Sequence, residues 1–243
     1  MRMSERGRPM DWDGAVNAWH VSGGIYRMGR REWLTGAGWK QVFDDGVRTV
    51  VDLRNTAEGR RRDNDPVVPE EAWTGIDMVQ APTEDPDDPR FTAITGRYLN
   101  DPAHYAANAR FFPEKLVGVF RSIALAAPKG NVLLHCAAGR DRSGLVAAMV
   151  QDLAGDSDDA IAEGYRRAAR GINERYRTHG PPHSRERCLP ESELAPLLEQ
   201  RGLAVVAFVR GLDTRSYLLA NGLSPAELDA ASGLARQKDT LVT

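Results

Sequence analysis

Residues 131–144 read Asn-Val-Leu-Leu-His-Cys-Ala-Ala-Gly-Arg-Asp-Arg-Ser-Gly, and they constrain the fold more than any other stretch of the chain. Val132, Leu133 and Leu134 form a short apolar run after the turn residues Pro128-Lys129-Gly130, which predicts a buried strand. Leu145, Val146, Met149, Val150 and Leu153 recur at helical spacing and stop at Gly155, which predicts a helix starting near Ser143. Between strand and helix lie Ala137, Ala138 and Gly139, small enough for successive backbone N–H groups to converge on one point. A ring of amides at a helix N-terminus is an anion site. Arg142 adds a planar guanidinium that can grip two oxygens of one phosphate.

The same field acts on Cys136. A free thiol titrates near 8.5, and a helix N-terminus with cationic neighbours lowers that value by several units. The expectation is a thiolate aimed at a bound phosphorus atom, with the Ser143 hydroxyl beside the sulfur. A covalent thiophosphate would split one difficult displacement into two easier ones. The loop amides of residues 137–142 and the Arg142 charge supply the electrostatic stabilisation, so no cofactor or metal is expected. The competing reading of Cys136 is an inert buried cysteine at a strand end. Gly139, Arg142 and Ser143 in step with it favour the nucleophile.

The run His135-Cys136-Ala137-Ala138-Gly139-Arg140-Asp141-Arg142-Ser143-Gly144 resembles the signature loop of protein tyrosine phosphatases. It is most similar to the bacterial group whose loop reads His-Cys-x-x-Gly-Lys-Asp-Arg-Thr-Gly, with Arg140 in place of Lys and Ser143 in place of Thr. Gly24–Arg30 and Val47–Arg54 resemble that group's Tyr-Arg-Ser and Asp-Leu-Arg segments, and Asn17 stands where the group has an Asn-Phe-Arg-Asp segment. The resemblance implies a three-layer α/β phosphatase fold with a central sheet and a helix-rich C-terminal half. It implies Cys136 as nucleophile, Arg142 as clamp, Ser143 as partner of the sulfur and residues 137–142 as the phosphate cradle. Tyrosine and dual-specificity phosphatases belong to the group, and some members act on phosphoinositides. The expected ligands are a phosphorylated protein or small phosphomonoester, and phosphate, sulfate or vanadate in the loop.

The leaving oxygen needs a proton and the following water needs a base, and one carboxyl group can serve both. Asp141, inside the loop, ranks first. Asp52 ranks second, because its strand is expected beside that of Cys136. Asp101 ranks third, at a spacing before Cys136 like that of the acid loop in eukaryotic tyrosine phosphatases. Their bland readings are a loop-organising carboxylate, a partner for Arg54 and a helix cap.

The 243 residues fit one phosphatase domain, with residues 1–23 as a loose lead-in, 82–112 as a lid or substrate entrance and 176–243 as a C-terminal helical part. A formal charge of −2 gives no basic excess for nucleic acid. No apolar run approaches the ~20 residues of a membrane span. The polar start, and a thiolate that must stay reduced, point to the cytoplasm rather than to a Cys136–Cys188 disulfide. Strands are expected at 25–28, 47–53, 76–80 and 132–135. Helices are expected at 36–44, 113–126, after Ser157, around Leu194–Leu198, over 203–219 with a break near Gly211, and from the Ser224–Glu227 capping box to about 235.

Other signals have bland readings. His179, His183 and Cys188 fall on a Pro-rich loop rather than a metal-binding helix face. His135 is expected to order the loop through hydrogen bonds. Arg60-Arg61-Arg62 reads as a solvated run that can also attract an acidic substrate. Arg166, Arg167 and Arg170 face either the active-site mouth or water. Of the five Trp residues, one near the acidic loop 82–90 is expected to line the entrance. Competing functions are a phosphoinositide or small-metabolite phosphatase, a phosphate-binding module without turnover, and a sulfur-transfer or arsenate-reducing enzyme. The intact Cys136, Arg142 and Ser143 argue against the last two.

Overall fold

The computed structural model describes residues 7–182 and 186–237. Five strands, β1 (Trp19–Ser22), β2 (Ile25–Met28), β3 (Val47–Asp52), β4 (Asp77–Gln80) and β5 (Asn131–His135), form one sheet in the order β1-β2-β5-β3-β4. The β1–β2 pair is an antiparallel hairpin, and the other pairs are parallel. β5 is therefore central, flanked by β2 and β3, and its C-terminal end opens into the cysteine loop.

Period-two alternation sends the two faces of the sheet into different cores. Val132 and Leu134 of β5, with Val51 of β3 and Leu53 just beyond its end, pack into the larger core. Leu133, Val47 and Val50 point the other way, against Trp12, Trp39 and Val42. The smaller core lies under α1 (Gly36–Asp44), whose first turn is capped by the Thr35 hydroxyl accepting from Gly38 N at 3.1 Å.

The larger core is built by α2 (Pro89–Thr95), α3 (Tyr105–Phe111), α4 (Pro113–Ala126), α5 (Arg142–Ala154), α6 (Asp158–His179), α7 (Glu191–Leu212), α8 (Thr214–Ala220) and α9 (Pro225–Arg236). Every residue of α5 from Arg142 to Gln151 is buried. An apolar helix with no wet face must be surrounded, and α6, α7, α8 and α9 all pack on it. The outcome is helix, sheet and helices in three layers.

Three expectations changed. Residues 7–23 are not a loose lead-in: β1 is one edge strand of the sheet, Met10 and Trp12 are buried, and Gly7 N and Met10 N donate to His20 and Ala18 carbonyls. His20 and Ser22 mask the strand pattern because both are polar yet buried. The helices around Leu194–Leu198 and from Leu203 are one helix, α7, which continues through Pro196. The break comes at Asp213, with φ of 50°, rather than at Gly211. Its carboxylate accepts from Ser216 N and so caps α8.

Candidate active site

The cysteine loop leaves β5 at His135 and closes on the first turn of α5. Gly139 has φ of +67°, and a side chain there would meet the Met28 and Gly29 backbone at 2.6 Å, so both conformation and space demand glycine. A Cβ on Gly144 would meet the Tyr105 hydroxyl at 2.7 Å. Cys136 is buried, with Sγ 3.5 Å from Ser143 Oγ.

Buried donors hold the loop from the core side. Arg27 Nη2 donates to the carbonyls of Gly139 and Arg140, both at 2.8 Å, and to Ser143 Oγ at 3.3 Å. Its Nε has no partner, and Arg27 makes no ion pair among the described residues. Burial therefore holds its guanidinium below the ordinary value, with the Tyr105, Cys136 and Asp141 charges acting in the opposite sense. Asn17 Nδ2 donates to the Ala138 and Gly139 carbonyls at 3.0 Å each. The Tyr105 hydroxyl donates to Asp141 O at 2.9 Å, and the Tyr165 hydroxyl to Asp141 Oδ1 at 3.1 Å.

Carboxylates hold the loop's own arginines. Glu58 takes Nη1 and Nη2 of Arg142 at 2.6 and 2.8 Å. Burial pushes the Glu58 carboxyl up, but the Arg142 hydrogen bonds and charge outweigh it and hold it low. The fully buried Glu84 lies 3.6 Å from Arg142 Nη1. Burial raises its carboxyl to about 7, against the pull of Arg142. Arg140 donates to Asp141 Oδ2 at 2.7 Å and to both Glu186 oxygens at 3.1 and 2.8 Å.

The three acid candidates land in different places. Asp141 lines the cavity in front of Cys136. Asp52 does lie beside the cysteine strand, in register with His135. Burial pushes Asp52 up, yet Arg54, donating to both of its oxygens at 2.9 and 2.7 Å, holds it below its ordinary value. Asp101 caps a short 3-10 turn and pairs with Arg201 at 2.8 Å. His135 does not order the loop through its ring: neither ring nitrogen has a hydrogen-bond partner, and its nearest charge is Asp52 at 3.5 Å. Burial lowers His135 to about 4, so it is neutral at pH 7.

The cavity measures about 1500 Å³ and is walled by the loop, by residues 97–100, by α6 and by the segment before α7. Trp33, on the 3-10 turn Arg31–Trp33, is the tryptophan in its wall. Arg166 and Arg170 bridge α6 to α7 through Glu199 and Glu191, and Arg167 reaches Gly7 O, so none of the three lines the mouth. Among the described residues no cluster of His, Cys, Asp and Glu is placed to hold a metal. His183 lies outside the described residues. Cys136 and Cys188 are both free thiols. No helix of the described residues is long and apolar enough to cross a membrane.

Arg27, Glu58, Glu84, Tyr105 and Tyr165 were not read as site residues from the sequence. Asn55-x-x-Glu58 carries a local capping pattern, and Arg27 lies in a segment with family resemblance. Neither signal says that the side chain reaches the cysteine loop.

A cysteine loop between a central parallel strand and a buried helix is the architecture expected of a cysteine-dependent phosphatase. The sequence matches the tyrosine phosphatase family over residues 16–232, and the chain belongs to that family. It is 29% identical over 173 residues to the triple specificity protein phosphatase PtpB of Mycobacterium tuberculosis, covering 60% of this chain and 61% of PtpB. Among solved structures it is similar to P. aeruginosa TpbA, crystallised with pTyr, at 19% identity and a TM-score of 0.48, over 90% of this chain and 98% of that one. The catalytic core of the S. cerevisiae PP-IP phosphatase SIW14 aligns at 18% identity and a TM-score of 0.40, over 76% and 91%.

Proposed function

We propose that this chain is a cytoplasmic cysteine-dependent protein tyrosine phosphatase with dual specificity, hydrolysing phosphate monoesters through a phosphocysteine intermediate. The observation that carries the reading is Cys136, buried just past the end of the central strand and 3.5 Å from Ser143 Oγ, in a loop that ends where Arg142 opens a buried helix. Cys136 attacks phosphorus, the S–P bond forms and the P–O bond to the leaving group breaks. The departing oxygen takes a proton from Asp141. Water then attacks the phosphocysteine, Asp141 receives its proton, and Ser143 donates to the departing sulfur. Residues 137–142 and the Arg142 guanidinium balance the charge on the phosphoryl oxygens in both steps.

Asp141 is favoured as the acid because it lines the same cavity as Cys136, and Asp52 does not. The free, unpaired thiols Cys136 and Cys188 fit a reducing compartment.

The test is p-nitrophenyl phosphate hydrolysis. Cys136→Ser is expected to lose more than about 1000-fold in kcat, and vanadate is expected to inhibit the wild type. Activity that survives Cys136→Ser overturns the reading. Asp141→Asn is expected to remove one limb of the pH–rate profile and to slow poor leaving groups most. An unchanged profile transfers the acid role elsewhere.

A further inference from the structure

Glu84 takes no part in the chemistry above, yet it sits against the arginine that grips the phosphate. Ala81 N and Thr83 N donate to Asp52 O and Leu53 O at 2.9 and 3.4 Å, so the chain leaving β4 stays beside the end of β3 and carries Glu84 to Arg142. The Glu84 side chain is fully buried and does not line the cavity. Its Oε2 accepts from Leu99 N at 3.2 Å. Its Oε1 has no hydrogen-bond partner and faces Arg142 Nη1 at 3.6 Å. A buried carboxylate oxygen without a donor is costly in the charged form.

Arg142 already has a counter-charge. Glu58 accepts from both of its Nη atoms at 2.6 and 2.8 Å, and the centre of the Tyr98 ring lies 5.4 Å from its guanidinium carbon. A second ionised carboxylate on the same guanidinium gives this cluster a net negative charge beside the phosphate position. The charged groups facing Glu84 are Arg142 from α5, Glu58 from the turn after β3 and Asp141 from the cysteine loop. The segment 97–100 offers it the Leu99 amide, while Arg97 pairs with Asp87 at 4.0 Å. Burial pushes the Glu84 carboxyl up, Arg142 opposes it, and Glu58 and Asp141 add to the rise, which places the change of charge at about 7.

We infer that Glu84 is a proton-linked positioning residue: the cysteine loop takes up a phosphate dianion together with a proton on Glu84, and the ionised Glu84 weakens the hold of Arg142 on that dianion. The inference rests on the phosphatase reading, which puts the phosphate in the Cys136 loop. The coupling is reciprocal. A bound dianion makes a neighbouring negative charge more costly, so it favours neutral Glu84, and neutral Glu84 favours the bound dianion by the same factor. The proton comes from solvent when the anion binds and returns to solvent when it leaves. Glu84 acts through Arg142 and touches no substrate.

Sulfate is the probe, because it is a dianion at every pH used and any pH dependence then belongs to the protein. The full chain carrying Cys136→Ser removes the thiol as a competing proton site, and His135, at about 4, stays neutral over the range. Proton uptake on adding saturating sulfate is read with a pH indicator in weak buffer at constant ionic strength. About half a proton per chain is expected near pH 7.5. The sulfate Kd is expected to rise at least about threefold from pH 6 to pH 8. Glu84→Gln in the same background should abolish the uptake and hold the Kd near its low-pH value throughout. If Glu84→Gln does not fold, the uptake and the Kd of Cys136→Ser alone decide. No proton uptake, a Kd that is flat from pH 6 to pH 8, or either effect persisting in Glu84→Gln overturns the inference. Failure of the phosphatase reading shows differently, as p-nitrophenyl phosphate hydrolysis that persists in Cys136→Ser.

Discussion

The two flanks of the cysteine loop are held by different physics. On the core flank, neutral donors and one unpaired arginine bond to loop carbonyls: Asn17 to Ala138 and Gly139, Arg27 to Gly139 and Arg140, and Tyr105 to Asp141. On the other flank, carboxylates from distant segments clasp the loop's own cations: Glu58 and Glu84 on Arg142, and Glu186 on Arg140. The first set fixes backbone shape and is sheltered from salt and substrate. The second set bonds to the groups that must meet phosphate, so it answers to pH, ionic strength and ligand. The loop's shape and the loop's charge are therefore set separately.

The largest effect expected from this division is at Arg27. Arg27→Met takes the guanidinium donor from the Gly139 and Arg140 carbonyls, of which Gly139 O keeps Asn17, and removes the cation behind Ser143. A loss of about 3 kcal/mol in stability is expected. At neutral pH, iodoacetamide should alkylate Cys136 more slowly in the variant, and kcat should fall more than KM changes. Arg27→Lys should fall between, because one ammonium can serve only part of the same acceptor set. If Arg27→Met destabilises the fold but leaves alkylation and kcat intact, the core flank is scaffold alone and the comparison loses its chemical half.

Glu84 sharpens the contrast, because it is a carboxylate placed at the core's depth. Its folded value is about 7 against an ordinary 4.5. Between those values the folded chain holds a proton that the unfolded chain has released. Stability from this group therefore falls as pH rises through the window and stays reduced above it. Glu84→Gln keeps a neutral group at every pH. Its melting temperature relative to wild type is expected to improve from about pH 5 to about pH 8. A difference that does not change with pH would show that Arg142 already compensates Glu84 in full.

The division between flanks also explains what the sequence revealed. β5, α1 and α4 were legible to the residue or nearly so, because apolar spacing in β5, Gly46 just after α1 and Pro113 at the start of α4 mark them locally. Cys136 and Arg142 stood out because their chemistry is confined to one loop. Arg27, Glu58, Glu84, Tyr105 and Tyr165 were not legible as site residues, since each acts only after the chain has brought remote segments together. β1 was missed for a related reason: its buried polar His20 and Ser22 are satisfied by Gly23 O and Ala235 O, partners that local pattern does not reveal. Asp101 shows the converse, because a suggestive spacing ended in a pair with Arg201.

The smallest effect is expected at Glu186, and it tests the ionic flank most directly. Glu186 makes both of its bonds to Arg140, while Asn173 pins the same segment at Leu189 through paired hydrogen bonds of 3.0 and 2.8 Å. In Glu186→Gln, Arg140 keeps Asp141 as a partner at 2.7 Å, so no charge is left bare. A cost of no more than about 1 kcal/mol is expected. If the clasp is purely ionic, raising the salt from about 0.05 to about 0.5 M should bring the wild-type KM for p-nitrophenyl phosphate to that of the variant. The variant itself should respond less to salt. A variant as salt-sensitive as the wild type would place the ionic response at Glu58 and Arg142 instead, leaving Arg140 and Glu186 on the structural side of the comparison.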